Sequence, residues 1–331
     1  MTKEFRSYLF SQLEKKSQSP KNTAQILADE LGISLSSAYK KINGDAKITL
    51  EEAFTLANKF GISLDLALSQ QGDQVLFRYP SLDGEVMSPW RFLDQLIGML
   101  TMLLASPGLK IRHTTCEIPL FHYMYYPELT AVKFYFYSNS VWNLLGNERP
   151  GQIWIDELLS NPAFQEKCWR IFDMVAVTPT EEYYQVNMFD TTLRQIHFLR
   201  ETGQVSESFA ATLFKQLLEM ATMISCWASE GKKQCSNGQP GASYDLHVNE
   251  LVYTNIMFLI ENQSGRSLFS TLDSPNFTVC QDERVLERME TWFNRLKNKS
   301  AQISGQNEKH RQVFLQEVQR RVYECQKKIV L

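Results

Sequence analysis

Residues 21–44 read KNTAQILADELGISLSSAYKKING, and this stretch decides the N-terminal fold. Thr23 stands where a helix cap belongs, ahead of Ile26, Leu27 and Leu31 at helical spacing, with Ala28 on the inner side. Gly32 stops that helix. After a short Gly32-Ile33-Ser34 turn, Ser34 caps a second helix from Leu35 to about Ile42, which Asn43-Gly44 ends. Two short helices around so tight a turn must pack closely, which needs a small residue at Ala28 and a residue tolerant of positive φ at Gly32.

The flanks extend the pattern. Residues 48–68, ITLEEAFTLANKFGISLDLAL, place Thr49 as a cap before a helix with Leu50, Ala53, Phe54, Leu56, Ala57 and Phe60 inward. Gly61 and Ser63 then open a last helix, and Phe5 to Lys16 form a first one. Through Ala28, Leu31, Gly32, Ile33, Ala38 and Asn43-Gly44, residues 3–70 resemble the phage repressor/Cro-like helix-turn-helix transcriptional regulators. Lys41 departs from that pattern, since the family often has an aliphatic residue there; Ile42 is left to fill the space, and the helix register stays open by about one residue.

The resemblance implies a five-helix domain that binds double-stranded DNA with the Leu35–Ile42 helix in the major groove. It would turn Ser36, Ser37 and Lys40 towards base edges, and Lys21, Thr23, Lys41, Asn43 and Lys47 towards phosphate oxygens. Tyr39 is ambiguous. The alternative is a non-catalytic helical module that docks on protein.

Beyond this domain (1–71) and a linker (72–87) containing Gly72, Pro80 and Gly84, residues 88–331 read as a larger, mostly helical unit. Ser88-Pro89 starts a helix that is apolar almost all round up to Leu104, and so must be buried in its own domain or against a partner subunit. Residues 121–142 are dense in rings, among them Phe121, Tyr123, Phe134, Tyr137 and Trp142. Core packing explains them, and an aromatic-lined pocket for a small molecule is the sharper reading. Base stacking is disfavoured because only Lys133 lies between the rings. Further helices are expected at 153–175, 191–202 and 206–230. Strands follow at 251–253, 256–260 and 277–280 in a small antiparallel sheet within 244–281, then helices at 282–297 and 306–328. The expected fold class is mainly α with a small antiparallel sheet (α+β).

Composition narrows the function. The net charge of −3 is unevenly distributed: residues 1–71 carry +1, residues 282–331 carry +4 and the middle carries −8. This permits DNA contact at the ends without indicating it unaided. The six cysteines form no CxxC pair, which points to reduced thiols in a cytoplasmic protein, and the most apolar window, 92–105, is too short to span a membrane. No GxxxxGK, GxGxxG, GxSxG or HExxH motif occurs, and His113, His122, His197, His247 and His310 are isolated from one another in the sequence. Glu181-Glu182 and Glu250 are candidates for acid–base work, but nothing pairs with them in sequence. No enzymatic activity, cofactor or metal is expected. The expected partners are DNA, a second copy in a homodimer and a possible small-molecule effector in the C-terminal domain.

Overall fold

The computed structural model describes residues 3–16, 22–64, 75–79, 87–142, 144, 151–250, 255–263 and 265–327. The chain divides into two compact units, Met1–Phe77 and Arg78–Leu331.

The first unit contains α1 (Lys3–Lys16), α2 (Thr23–Leu31), α3 (Leu35–Asn43) and α4 (Leu50–Phe60). The last helix expected after Ser63 runs into residues 65–74, outside the described residues, as does Lys21. Leu9, Leu13, Leu27, Ala38, Ala53 and Leu56 are fully buried at its centre. Ala24, Leu27 and Ala28 lie three and four positions apart, so one face of α2 turns inward. The cap of α2 is a correction: Asn22, and not Thr23, accepts the Gln25 N–H at 2.8 Å, and Thr23 is the first helical residue. Ser34 caps α3, and Thr49 with Glu52 forms a reciprocal capping box on α4. Leu50 and Phe54, read as inward, are instead 65% and 51% exposed, because Ala53, Leu56 and Ala57 already fill the inner face of α4.

The second unit contains α5 (Pro89–Leu104), β1 (Lys110–Thr114), α6 (Leu120–Tyr123), α7 (Pro127–Ser140), α8 (Gly151–Leu159), α9 (Pro162–Ala176), β2 (Thr180–Tyr184), α10 (Asp190–Glu201) and α11 (Glu207–Glu230). These are followed by β3 (Lys232–Gln234), β4 (Pro240–Val248), β5 (Met257–Asn262), β6 (Gly265–Thr271), β7 (Phe277–Cys280), α12 (Glu283–Lys299), β8 (Ala301–Gln302) and α13 (Glu308–Gln326). The α+β class holds, but the sheet is neither small nor purely antiparallel. Its order is β3-β4-β2-β1-β5-β6-β7, with β8 also on β4, and β1–β2 and β2–β4 pair in parallel. Two central strands therefore come from a region expected to be helical. The expected helix at 153–175 is two, since Asn161 caps α9 and Pro162 occupies its first turn.

Successive residues of a strand point to opposite faces. One face carries Ile111, Phe258 and Ile260, as well as Tyr184, Tyr244 and Leu246, which join α5, α7, α9, α11 and α13 in the main core. Most of the rings at 121–142 are in that core, including Tyr123, Phe134, Tyr137 and Trp142. Lys133 is buried among them, paired to Glu117 at 2.5 Å. Its ammonium lies 5.5 Å from the centre of the Tyr123 ring and 5.9 Å from that of Tyr137. The other face meets α12: Arg112 donates to Asn294 at 3.1 Å and Lys297 donates to Glu181 at 2.6 Å.

β2 reads Thr-Glu-Glu-Tyr-Tyr, and all five residues are buried. That burial is tolerable because its polar atoms are paired. Glu182 accepts from Thr180 at 2.8 Å, from His122 at 3.1 Å and from Tyr184. Lys233 donates to the Val175 carbonyl at 2.9 Å and to Thr180 at 3.0 Å. On β1, His113 bonds the Met257 carbonyl through Nδ1 at 3.0 Å. Burial pushes the His113 pKa down to about 4, against the opposing pull of Glu182 and the Met257 carbonyl, and with a further small push from His122. An imidazole of the unfolded chain takes up its proton near pH 6.5, so the neutral, buried form contributes stability that is complete above that pH. The contribution, ~3 kcal/mol from this group, is lost as pH falls from 6.5 towards 4. Thermal unfolding of the second unit is therefore expected at lower temperature at pH 5 than at pH 8, and His113→Phe should flatten that dependence; equal pH dependence in both proteins would count against this account.

Candidate nucleic-acid interface

The α2–turn–α3 hairpin is built by close approach. Ala28 is 7% and Ala38 0% exposed, so neither helix carries a bulky side chain between them. Leu31 and Ile33 pack partly buried against the same core. Gly32 holds φ 63° while its N–H bonds the Ala28 carbonyl, which turns the chain out of α2 without a Cβ penalty. At the far end of α3, Gly44 has φ 93°, and a Cβ there would collide with the Arg6 guanidinium. Arg6 thus brings a cation from α1 to the C-terminus of α3, where the helix dipole favours it. The sequence reading passed over Arg6, since only the fold places it beside Gly44.

This framework leaves one side of α3 uncovered. Ser36, Tyr39, Lys40 and Asn43 are exposed, as is Lys47 in the loop beyond. Among the described residues, neither Lys40 nor Lys47 enters an ion pair. Tyr39, left ambiguous by sequence, accepts from the Asn22 amide at 3.3 Å and so ties α3 to the N-terminal cap of α2. Thr23 is partly buried next to that cap.

Two of the residues assigned outward contacts are engaged within the domain. Ser37 is partly buried, with its hydroxyl 2.9 Å from that of Ser34 and its N–H bonded to the same oxygen, so it completes the cap of α3. Lys41, expected at a phosphate oxygen, is engaged inside the domain. Its side chain is 12% exposed, and its ammonium donates to Glu52 at 2.8 Å and to the Lys47 carbonyl at 2.7 Å. Burial raises the Glu52 pKa, but the bonds from Lys41 and the Thr49 N–H outweigh it, so the carboxyl is held below its ordinary value. Lys41 thereby fixes α3 to the capping box of α4 with an ion pair, at the position where an aliphatic side chain was expected. Ile42 packs against the core beside it.

The second unit holds a different cluster. Glu181, Asp245 and His247, from adjacent strands, place potential ligand atoms within 4.8 Å of one another. Lys297 already bridges the two carboxylates, at 2.6 Å from Glu181 and 3.4 Å from Asp245, so the required positive charge is supplied by the chain itself. The carboxylates of Glu181 and Glu182, unpaired in sequence, are paired in space. All six cysteines are free thiols. Among the described residues, no helix is long and apolar enough to cross a membrane.

Residues 5–97 match the family model of the BetR domain, a helix-turn-helix-type DNA-binding regulator domain. No curated protein and no solved structure matches the chain.

The Lys41–Glu52 pair gives a test of the framework. Lys41→Ala leaves Glu52 without its cation and opens space under α3, so the first unit should lose about 1–3 kcal/mol of stability in chemical denaturation. Lys41→Met keeps the side-chain volume and should lose less; no loss at all in Lys41→Met would mean that the ammonium contributes nothing.

Proposed function

We propose that the chain is a non-catalytic, sequence-specific transcriptional regulator that inserts α3 into the major groove of DNA. The observation that carries this reading is the exposed face of α3, with Ser36 and Lys40 projecting from a helix whose ends and back are fixed, inside a segment that matches a regulator domain model. Lys40 donates to a guanine edge and Ser36 reads its neighbour weakly, as a hydroxyl does. Asn43 and Lys47 bond phosphate oxygens, and the Asn22–Thr23 end of α2 presents helix N-terminal N–H groups to the backbone of the duplex.

A helix-turn-helix domain whose residues 1–71 carry only +1 net charge, with one short probe, has too little phosphate neutralisation and contact area for the usual specific affinity. Two copies supply it, so the regulator works as a homodimer on an inverted repeat with half-sites ~34 Å apart. The second unit provides the dimer contact and senses a signal, and the protein operates in the cytoplasm. A second reading rests on the exposure of Leu50 and Phe54, one turn apart on α4, which suits contact with another protein.

Duplex selection from a random pool, followed by titration across salt concentrations, separates the two. The DNA reading expects enrichment of a two-fold symmetric site and a steep fall of affinity with salt. Lys47→Ala should reduce the salt slope by about 1 and weaken all sequences alike, whereas Lys40→Ala should cost about 1–3 kcal/mol and relax preference at one base pair. Absence of duplex binding at low salt would leave only the protein-docking reading.

A further inference from the structure

A cavity of about 40 Å³ lies between α5 and the inner face of the sheet in the second unit. Met99, Leu100 and Leu103 of α5 wall one side, and Phe121, Phe258 and Phe277 supply aromatic faces. His113, His122, Thr180 and Glu182 also line it. The space is roughly three times what one ordered water requires, but a water there needs two to four polar partners and the walls are overwhelmingly apolar. A second cavity of about 30 Å³ shares Pro119, Phe121, Phe258 and Phe277 with it.

The polar groups are not equivalent. Glu182 already accepts from Thr180, His122 and Tyr184, and the His122 Nε2 also lies 2.9 Å from the Tyr184 hydroxyl. His113 is different. Its Nδ1 faces a carbonyl oxygen, which accepts only, so Nδ1 carries the proton and Nε2 carries a lone pair. That Nε2 is buried and has no hydrogen-bond partner. The ring cannot easily turn to find one, because it is stacked on Phe258 with centroids 3.9 Å apart and planes at 17°. With its pKa pushed down to about 4 by burial, the imidazole stays neutral and keeps this acceptor at physiological pH. An unmet buried acceptor at an apolar cavity is a site that a donor on an otherwise apolar molecule would complete.

We propose that this cavity binds a small, neutral, largely apolar molecule, of the phenol or short-alcohol class, that donates one hydrogen bond to Nε2 of His113. An anion is excluded by the adjacent Glu182 carboxylate, and a hydrocarbon leaves Nε2 unmet. The inference deepens the sensory part of the reading above and rests on that reading only for the consequence at DNA; the binding site rests on the geometry of the second unit.

Calorimetric titration of the full chain, without DNA, tests the site with phenol as the probe and with toluene and anisole as ring-bearing molecules that lack a donor. Phenol should saturate one site at millimolar concentration and bind at least about tenfold more tightly than either of the others. The preference should persist from pH 8 to pH 5.5. His113→Phe should bring phenol and toluene to equal affinity, and Met99→Trp should abolish binding of all three by filling the cavity. Failure of phenol to bind the native chain overturns the proposal, as does anisole binding as tightly as phenol, which requires no variant to fold. A phenol preference that survives His113→Phe also overturns it. Adding a selected duplex in a second titration reads DNA binding separately, so loss of one activity is not mistaken for loss of the other.

Discussion

The close approach of α2 and α3 across Ala28 and Ala38 is the constraint on which the first unit depends. Small buried side chains let two helices pack closely, and that packing sets which face of α3 turns outward. Gly32 and Gly44 let the chain enter and leave α3 in conformations that other residues adopt at a cost, and Ser34 closes its first turn. The Lys41–Glu52 pair then holds α3 to α4, so that the orientation of Ser36 and Lys40 follows from contacts made on the opposite side of the helix. A probe that must match base edges needs this kind of support, since misplacement by an ångström forfeits directional hydrogen bonds.

In the second unit the corresponding constraint is electrostatic. The parallel centre of the sheet and the elements packed on it bury Glu181, Glu182, Arg112, His113, His122, His247 and Lys233, and burying such groups is costly unless they are paired. Lys233, Thr180, Glu182, His122 and Tyr184 form one connected chain of hydrogen bonds on the inner face. Glu181, Asp245 and Lys297 form another on the outer face, below α12. The Nε2 of His113 is without a partner, as are the Thr114 hydroxyl on β1 and the Tyr244 hydroxyl on β4, and of these three residues only His113 lines the apolar cavity.

Much of the first unit was legible because its signals are local. Ser34, Gly32, Thr49 and Gly44 each act within a few residues of themselves, and helical periodicity is a short-range pattern. The misreadings there had local causes as well: Asn22 and Thr23 are both competent caps, and an ammonium at Lys41 reads as a surface group until Glu52 is seen beside it. In the second unit Ser88-Pro89, Ser206 and Asp282 announced their helices in the same way. The strands β1, Lys-Ile-Arg-His-Thr, and β2, Thr-Glu-Glu-Tyr-Tyr, did not, because they lack the apolar runs by which buried parallel strands are recognised. Their burial depends on partners 60 or more residues away, as with His122 and Glu182 or Lys297 and Glu181.

The sequence by itself determined the α+β class, the helix-turn-helix hairpin and its outward serine and lysine, since these follow from caps, glycines and periodicity acting over one or two turns. Tertiary structure alone decided that Lys41 is held inward by Glu52, and that His113 lines a cavity while one of its ring nitrogens has no partner. The physical reason is that a side chain's chemistry depends on what it is buried against, and the groups that neutralise Glu181, Glu182 and Lys41 are brought to them only by the folded chain.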